Sequence, residues 1–266
     1  MGEAIIGLIA LTAMEIVLGI DNIVFISIVT GRLPEKQRPL AWRLGLGLAM
    51  IMRILLLFTL SWVLGLTEPV FELESLGLSF EWLIPDNITD SEQLAAWQAM
   101  QEHINEVSWR DIIMFVGGLF LVAKSVLEIH HEIEGHGEVL AATAHAGLLG
   151  VLMQILVLDI IFSLDSVITA VGMVSRDKIW VMIAAVMLSI GVMVLFASRV
   201  GEFVHRHPTL KMLALSFLIL IGVMLIAEGL GTEVNKGYIY FAMAFALVVE
   251  ILNLRIRARR QKAVVA

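Results

Sequence analysis

Residues 14–29 read MEIVLGIDNIVFISIV. The stretch is apolar enough to sit in lipid, yet it carries Glu15, Asp21 and Asn22. A carboxylate at the centre of a membrane helix costs roughly 2.5–3.5 kcal/mol on insertion scales. Acids in such a place need something that offsets the cost, and the rest of the chain indicates what.

The 266 residues are 59% hydrophobic and 16% charged, whereas a soluble domain carries about 25% charged residues. Runs such as 178-KIWVMIAAVMLSIGVMVLFAS and 210-LKMLALSFLILIGVMLIA reach the ~20 residues that cross a bilayer as a helix. They lack the polar–apolar alternation of barrel strands. The expected fold is therefore an all-α polytopic membrane protein forming one transmembrane domain over 1–266. There is no cysteine, which excludes disulfides, thiolate metal sites and thiol catalysis. The opening MGEAIIGLIALTAME has no basic leader region and no clear cleavage site, so it reads as the first span.

Seven spanning helices are expected, near 4–30, 41–66, 111–129, 148–173, 178–199, 210–230 and 237–254. The bases fall mainly on one side. Arg32, Lys36, Arg38 and Arg43 follow the first span, Arg199, Arg206 and Lys211 lie between the fifth and sixth, and Arg255 to Lys262 follow the seventh. The positive-inside rule then places the N-terminus outside and the C-terminus in the cytoplasm. The basic tail is read as a topology anchor at anionic lipid, not as a nucleic-acid site. The long external stretch 67–110 is rich in Asp and Glu. It reads as a solvated, partly helical excursion or as an acidic vestibule that concentrates cations.

The motif of the first span recurs. Under 14-MEIVLGIDNIVF stands 158-LDIIFSLDSVIT, pairing Glu15 with Asp159, Asp21 with Asp165 and Asn22 with Ser166, each 144 residues apart. The copies lie three spans apart, in the first span and the fourth, so the second enters the membrane from the opposite face. This predicts a 3+3 inverted repeat, about 4–129 (with the excursion) and about 148–230, plus an extra helix at about 237–254. Such repeats hold their substrate near the midplane, between the halves. A weaker echo sets GGLFLVAK against IGVMLIAE, and Lys124 against Glu228.

On an ideal helix Asp21 and Asp165 point about 120° away from Glu15 and Asp159. Convergence of all four on one ligand requires local opening of the helices, expected at Gly19 and Ser163, where freed carbonyls would add oxygen ligands. All seven histidines fall outside the spans or at their edges. The interior thus offers only oxygen donors, a set suited to hard cations such as Mn²⁺, Ca²⁺ or Mg²⁺. The alternative is that the acids are protonated, or pair with Arg53 and Lys124 as interhelical glue. Lys124 either snorkels or neutralises an acid when no ion is bound. Arg53 is either a structural ion-pair partner or a counter-charge in a wet cavity.

The double motif, together with 109-WRDIIMFVGGLFLVAKSVLEIHHEIEG, 212-MLALSFLILIGVMLIAEGLG and 236-KGYIYFAMAFALVVEILN, resembles the TerC family of integral membrane proteins, within the LysE-type transporter superfamily. The resemblance covers nearly the whole chain. It implies a multi-pass protein of the bacterial inner membrane with seven helices, associated with Mn²⁺ efflux, manganese homeostasis and supply of metal to secreted enzymes. Carried over by position, the motif gives Glu15, Asp21, Asn22, Asp159, Asp165 and Ser166 as the metal set. The stretch 67–110 departs from compact members in its length.

Other features are weaker. His130, His131 and His136 lie among Glu132, Glu134 and Glu138, either capturing metal, sensing pH or forming a polar helix end. Glu228 and Glu250 are either interfacial or proton carriers. The pairs Gly45–Gly47 and Gly117–Gly118 suit close helix packing, and the scattered methionines suit ordinary packing. No nucleophile elbow, phosphate loop or zinc-protease motif is present, so no enzyme is expected. Two functions stand: an exporter of a hard divalent cation, Mn²⁺ above all, with H⁺ coupling through Lys124, Arg53 or Glu228; or a membrane scaffold that delivers metal to secreted or envelope proteins.

Overall fold

The computed structural model describes residues 2–31, 33–76, 97, 101, 104–134, 147–173, 179–232 and 234–265. Much of the excursion, His136 and the side chain of Asp21 lie outside the described residues. The helices are α1 (Gly2–Thr30), α2 (Arg38–Phe58), α3 (Leu60–Gly65), α4 (Trp109–Glu134), α5 (Leu148–Met173), α6 (Ile179–Arg206), α7 (Pro208–Gly229) and α8 (Lys236–Val265). Six of them, α2 and α4 to α8, are long and apolar enough to cross a membrane. In α1, Ile5–Ile16 forms a shorter apolar stretch beside the acids.

Local chemistry sets the helix ends. Prolines open α2 and α7, where a missing N–H costs nothing and φ is already helical. The apolar run 41–66, expected as one helix, is divided at Thr59. The Thr59 hydroxyl donates to the Leu55 carbonyl at 2.9 Å, a back-bond that bends helices. The fifth expected span continues to Arg206, so Arg199 and Arg206 lie on the helix and not in a loop. Arg206 pairs there with Glu202, one turn earlier. The excursion closes on two short strands, β1 (Pro69–Glu72) and β2 (Glu106–Ser108), paired antiparallel with Phe71 opposite Val107. Sequence reading did not anticipate this hairpin.

Inside a bilayer, lipid is as apolar as a leucine side chain, so helices associate by close packing and not by escape from water. The glycines show where. A Cβ at Gly118 would lie 2.5 Å from the Gly222 carbonyl oxygen, and one at Gly222 would lie 3.0 Å from that of Gly118. These two backbones meet where α4 crosses α7. Gly117 receives Ile161 of α5, and Gly45 receives Ile155. Gly47 faces open space, so it is not a packing glycine, contrary to expectation.

Beside α4–α7, the main pairings are α1 on α6 and α2 on α5. Two apolar clusters fill the interior. One joins α1, α2, α4, α5 and α7 around Met114, Leu121, Leu158 and Leu218; the other joins α1, α2, α5 and α6 around Leu11, Leu57, Leu164 and Met182. Helix α8 packs against α7 from outside, with Ile239 and Met243 partly buried against the core, and no residue of its spanning segment is fully buried within the chain.

Candidate functional site

Charged side chains of three helices meet in the interior. Arg53 reaches from α2 between Glu15 of α1 and Asp159 of α5. It donates through Nη1 to Glu15 Oε2, and through Nε to Asp159 Oδ1 at 3.4 Å. None of the three is more than 3% exposed. Ser163, one turn beyond Asp159, donates to its Oδ2 at 3.2 Å, and Ser166 donates to the Ser163 carbonyl at 3.2 Å. A cavity of about 20 Å³ lies alongside, lined by Asn22, Arg53, Asp159 and Met193 among others. That is room for about one water.

Glu15 and Asp159, the first acids of the two motif copies, are thus joined, and through the Arg53 pairing that the residues left open as an alternative. Asp165 lies elsewhere. The helices α1 and α5 run unbroken through Gly19 and Ser163, so the opening expected there is absent. On a continuous helix six residues turn the side chain by about 120°, and Asp159 and Asp165 face different partners. Gly19 does something else. A Cβ there would collide with the Met193 side chain, so the missing Cβ admits Met193 of α6 against α1.

Asp165 belongs to a second group, at the end of the bundle that carries the hairpin. Lys236, the first residue of α8, donates to Asp165 Oδ2 and lies 3.7 Å from Glu228 Oε1. Arg110, at the start of α4, lies 3.7 Å from Asp165 Oδ1 and 3.6 Å from Asp111 Oδ1. Asp111 is fixed in turn by the Ser108 backbone N–H at 2.9 Å. Gly231, at φ 80, turns the chain out of α7, and α8 restarts at Lys236 beside Glu228. Only glycine adopts that left-handed conformation without cost. These groups surround a cavity of about 350 Å³.

Lys124 is half-buried on α4. The sequence patterns above do not single out Arg110 and Lys236; their positions at span starts were the available signal. Among the described residues, no three acidic or histidine side chains stand close enough to form a ready-made metal shell.

Buried ion pairs inside a bundle of membrane-crossing helices define a polytopic membrane protein with a charged interior. The chain belongs to the integral membrane protein TerC family, whose family model matches residues 1–264. It is 49% identical over 263 residues to a UPF0053 protein of Haemophilus influenzae, covering 96% of this chain and 95% of that one. It is 49% identical over 244 residues to the UPF0053 inner membrane protein YgdQ of Escherichia coli K12, covering 92% and 90%. With the UPF0053 inner membrane protein YoaE of the same organism it shares 42% identity over 253 residues, which is 93% of this chain but 42% of that longer protein. No solved structure matches. The chain is a multi-pass protein of the inner membrane.

Proposed function

We propose that this chain is a membrane transporter that exports a hard divalent metal cation, Mn²⁺ first among them, through two inverted three-helix halves. The observation that carries the reading is the meeting of Glu15 and Asp159, one from each motif copy, around a single buried cation. Intramembrane acids and bases are rare, and they mark ion pathways and proton relays. Replacing such a buried pair by apolar side chains is often neutral or stabilising, so stability alone gives no reason to keep it.

Helix packing supports the repeat. Exchanging the first three spanning helices (α1, α2, α4) for the next three (α5, α6, α7) turns the α1–α6 contact into α5–α2, and both contacts are present. The α4–α7 crossing maps onto itself, with glycine on both sides. The 144-residue offset also sets Gly47 against Gly191, two glycines with open space at both. Arg53 falls opposite Ala197, so a single guanidinium serves both acids. In this reading seven helices span the membrane, the N-terminus and the hairpin lie outside, and the C-terminus is cytoplasmic.

Charge balance then suggests the cycle. Two carboxylates neutralise one divalent ion. The same two with Arg53 are one charge short, and a proton makes up that deficit. The ion and the pair of Arg53 plus H⁺ are thus alternative occupants of the acids. This gives export coupled to inward H⁺ movement as the halves rock. The oxygen-only donor set favours Mn²⁺, Ca²⁺ or Mg²⁺ over softer ions. Asn22 and Ser166 flank the acids, and Asp21 enters by its place in the motif.

The test is Mn²⁺ flux in proteoliposomes. Wild-type protein moves the ion down an imposed gradient, and Glu15→Gln and Asp159→Asn each abolish that flux while the protein stays folded. Undiminished flux in both variants would overturn the proposal. Binding of Mn²⁺ by the wild type without any flux would favour a metal-delivery scaffold instead.

A further inference from the structure

We propose that the cavity between α4, α5, α7 and α8 is a second cation site, where Asp165 and Glu228 hold a hydrated divalent ion once the ammonium of Lys236 withdraws. The inference rests on the cation reading above and adds a second station in series with the buried acids.

Three observations carry it. First, Lys236 Nζ lies between a carboxylate of α5 and a carboxylate of α7, where an ion bridging the two would sit. Its side chain is 25% exposed, and a lysine head swings on a flexible four-carbon stem. Second, Glu228 is among the residues that line the cavity and is 8% exposed, yet its buried Oε2 has no hydrogen-bond partner among the described residues. A buried carboxylate oxygen left unmet is costly, and a cation or its water shell would satisfy it. Third, the space suits a hydrated ion. At about 10–15 Å³ of such space per water, six waters need about 60–90 Å³, and the cavity offers about 350 Å³. The inner cavity of about 20 Å³ admits no such shell. An ion would therefore exchange water for protein oxygens between the two stations.

The fixed charges fit this exchange. Asp165 and Glu228 face Lys236 and Arg110, and Asp111 partly balances Arg110. Withdrawal of the ammonium removes the cation that Asp165 and Glu228 share and opens its place to an incoming ion, while Arg110 stays beside Asp111 and Asp165. Because Lys236 begins α8, the otherwise peripheral helix supplies the competing cation.

Mn²⁺ titration of the purified full-length chain, followed by electron paramagnetic resonance of the free ion, tests this. Lys236→Met is expected to raise the affinity for one Mn²⁺ by about tenfold, since a fixed competing charge is gone. The gain persists with Glu15→Gln added and disappears with Asp165→Asn or Glu228→Gln added. Lys236→Arg binds as the wild type does. If Lys236→Met does not purify as a single species, Lys236→Gln carries the same expectation. An unchanged affinity in the neutral variant, or a gain that survives both carboxylate neutralisations, overturns the proposal. The flux assay separates the two ideas. Flux without this gain removes the second site alone, whereas the gain without any flux removes the transport reading and leaves the site.

Discussion

At the scale of single residues, the decisive arrangement is one guanidinium between two carboxylates. Removing one member of a buried ion group leaves the others uncompensated, at a cost of about 3–5 kcal/mol. Arg53→Met is therefore expected to lower the melting temperature in detergent sharply. The triple variant Glu15→Gln, Arg53→Met, Asp159→Asn should recover most of that loss, because no buried charge remains. A melting temperature for Arg53→Met equal to the wild type's would show that Arg53 does not neutralise the acids. Sequence spacing made Glu15 and Asp159 legible as a pair, through the shared 144-residue offset. It left open which cation they meet, since Arg53 stands 38 residues from Glu15 and 106 from Asp159. Only the packing of α2 between α1 and α5 selects it over Lys124.

At the scale of elements, the α4–α7 crossing depends on two missing side chains. Gly118→Ala places a methyl group 2.5 Å from a carbonyl oxygen that belongs to rigid helix backbone. The expected penalty is about 1–3 kcal/mol, as for other overpacked sites. Gly47→Ala meets open space and should be neutral or up to about 1 kcal/mol stabilising, because alanine favours helix over glycine. Thermal unfolding of the two variants side by side checks both signs. The composition made most helix ends legible to within a few residues, but α6 and α8 run on to Arg206 and Val265, past the expected ends at 199 and 254. The division of 41–66 at Thr59 was not legible, because hydropathy cannot register a hydroxyl turning back onto a carbonyl. The β1–β2 hairpin was hidden for another reason. Its strands are four and three residues long, too short for an alternating pattern, and they pair across more than thirty residues of chain.

At the scale of the whole molecule, the proposed orientation is directly measurable, because the chain has no cysteine of its own. A single cysteine at Ala263→Cys should react with a membrane-impermeant maleimide in inside-out vesicles only, and one at Glu74→Cys in right-side-out vesicles only. The opposite pattern would place the cavity of Asp165 and Glu228 on the cytoplasmic side and reverse the proposed order of the two stations. The peripheral position of α8 also takes its meaning at this scale. No residue of its spanning segment is fully buried within the chain, yet its first residue completes the second charged group.

The sequence alone determined the membrane class, the approximate position of each helix, the duplicated acidic motif and the family to which the chain belongs. These properties are local or periodic: apolar run length, residue type, and the spacing of a repeated pattern. The tertiary structure decided how the motif acids are distributed. An unbroken α5 turns Asp159 and Asp165 to different sides, and the partners waiting there, Arg53 on one and Arg110 with Lys236 on the other, come from helices remote in the chain. Helix rotation and neighbour choice are set by close packing of side chains and backbones in three dimensions, and no one-dimensional pattern carries that information.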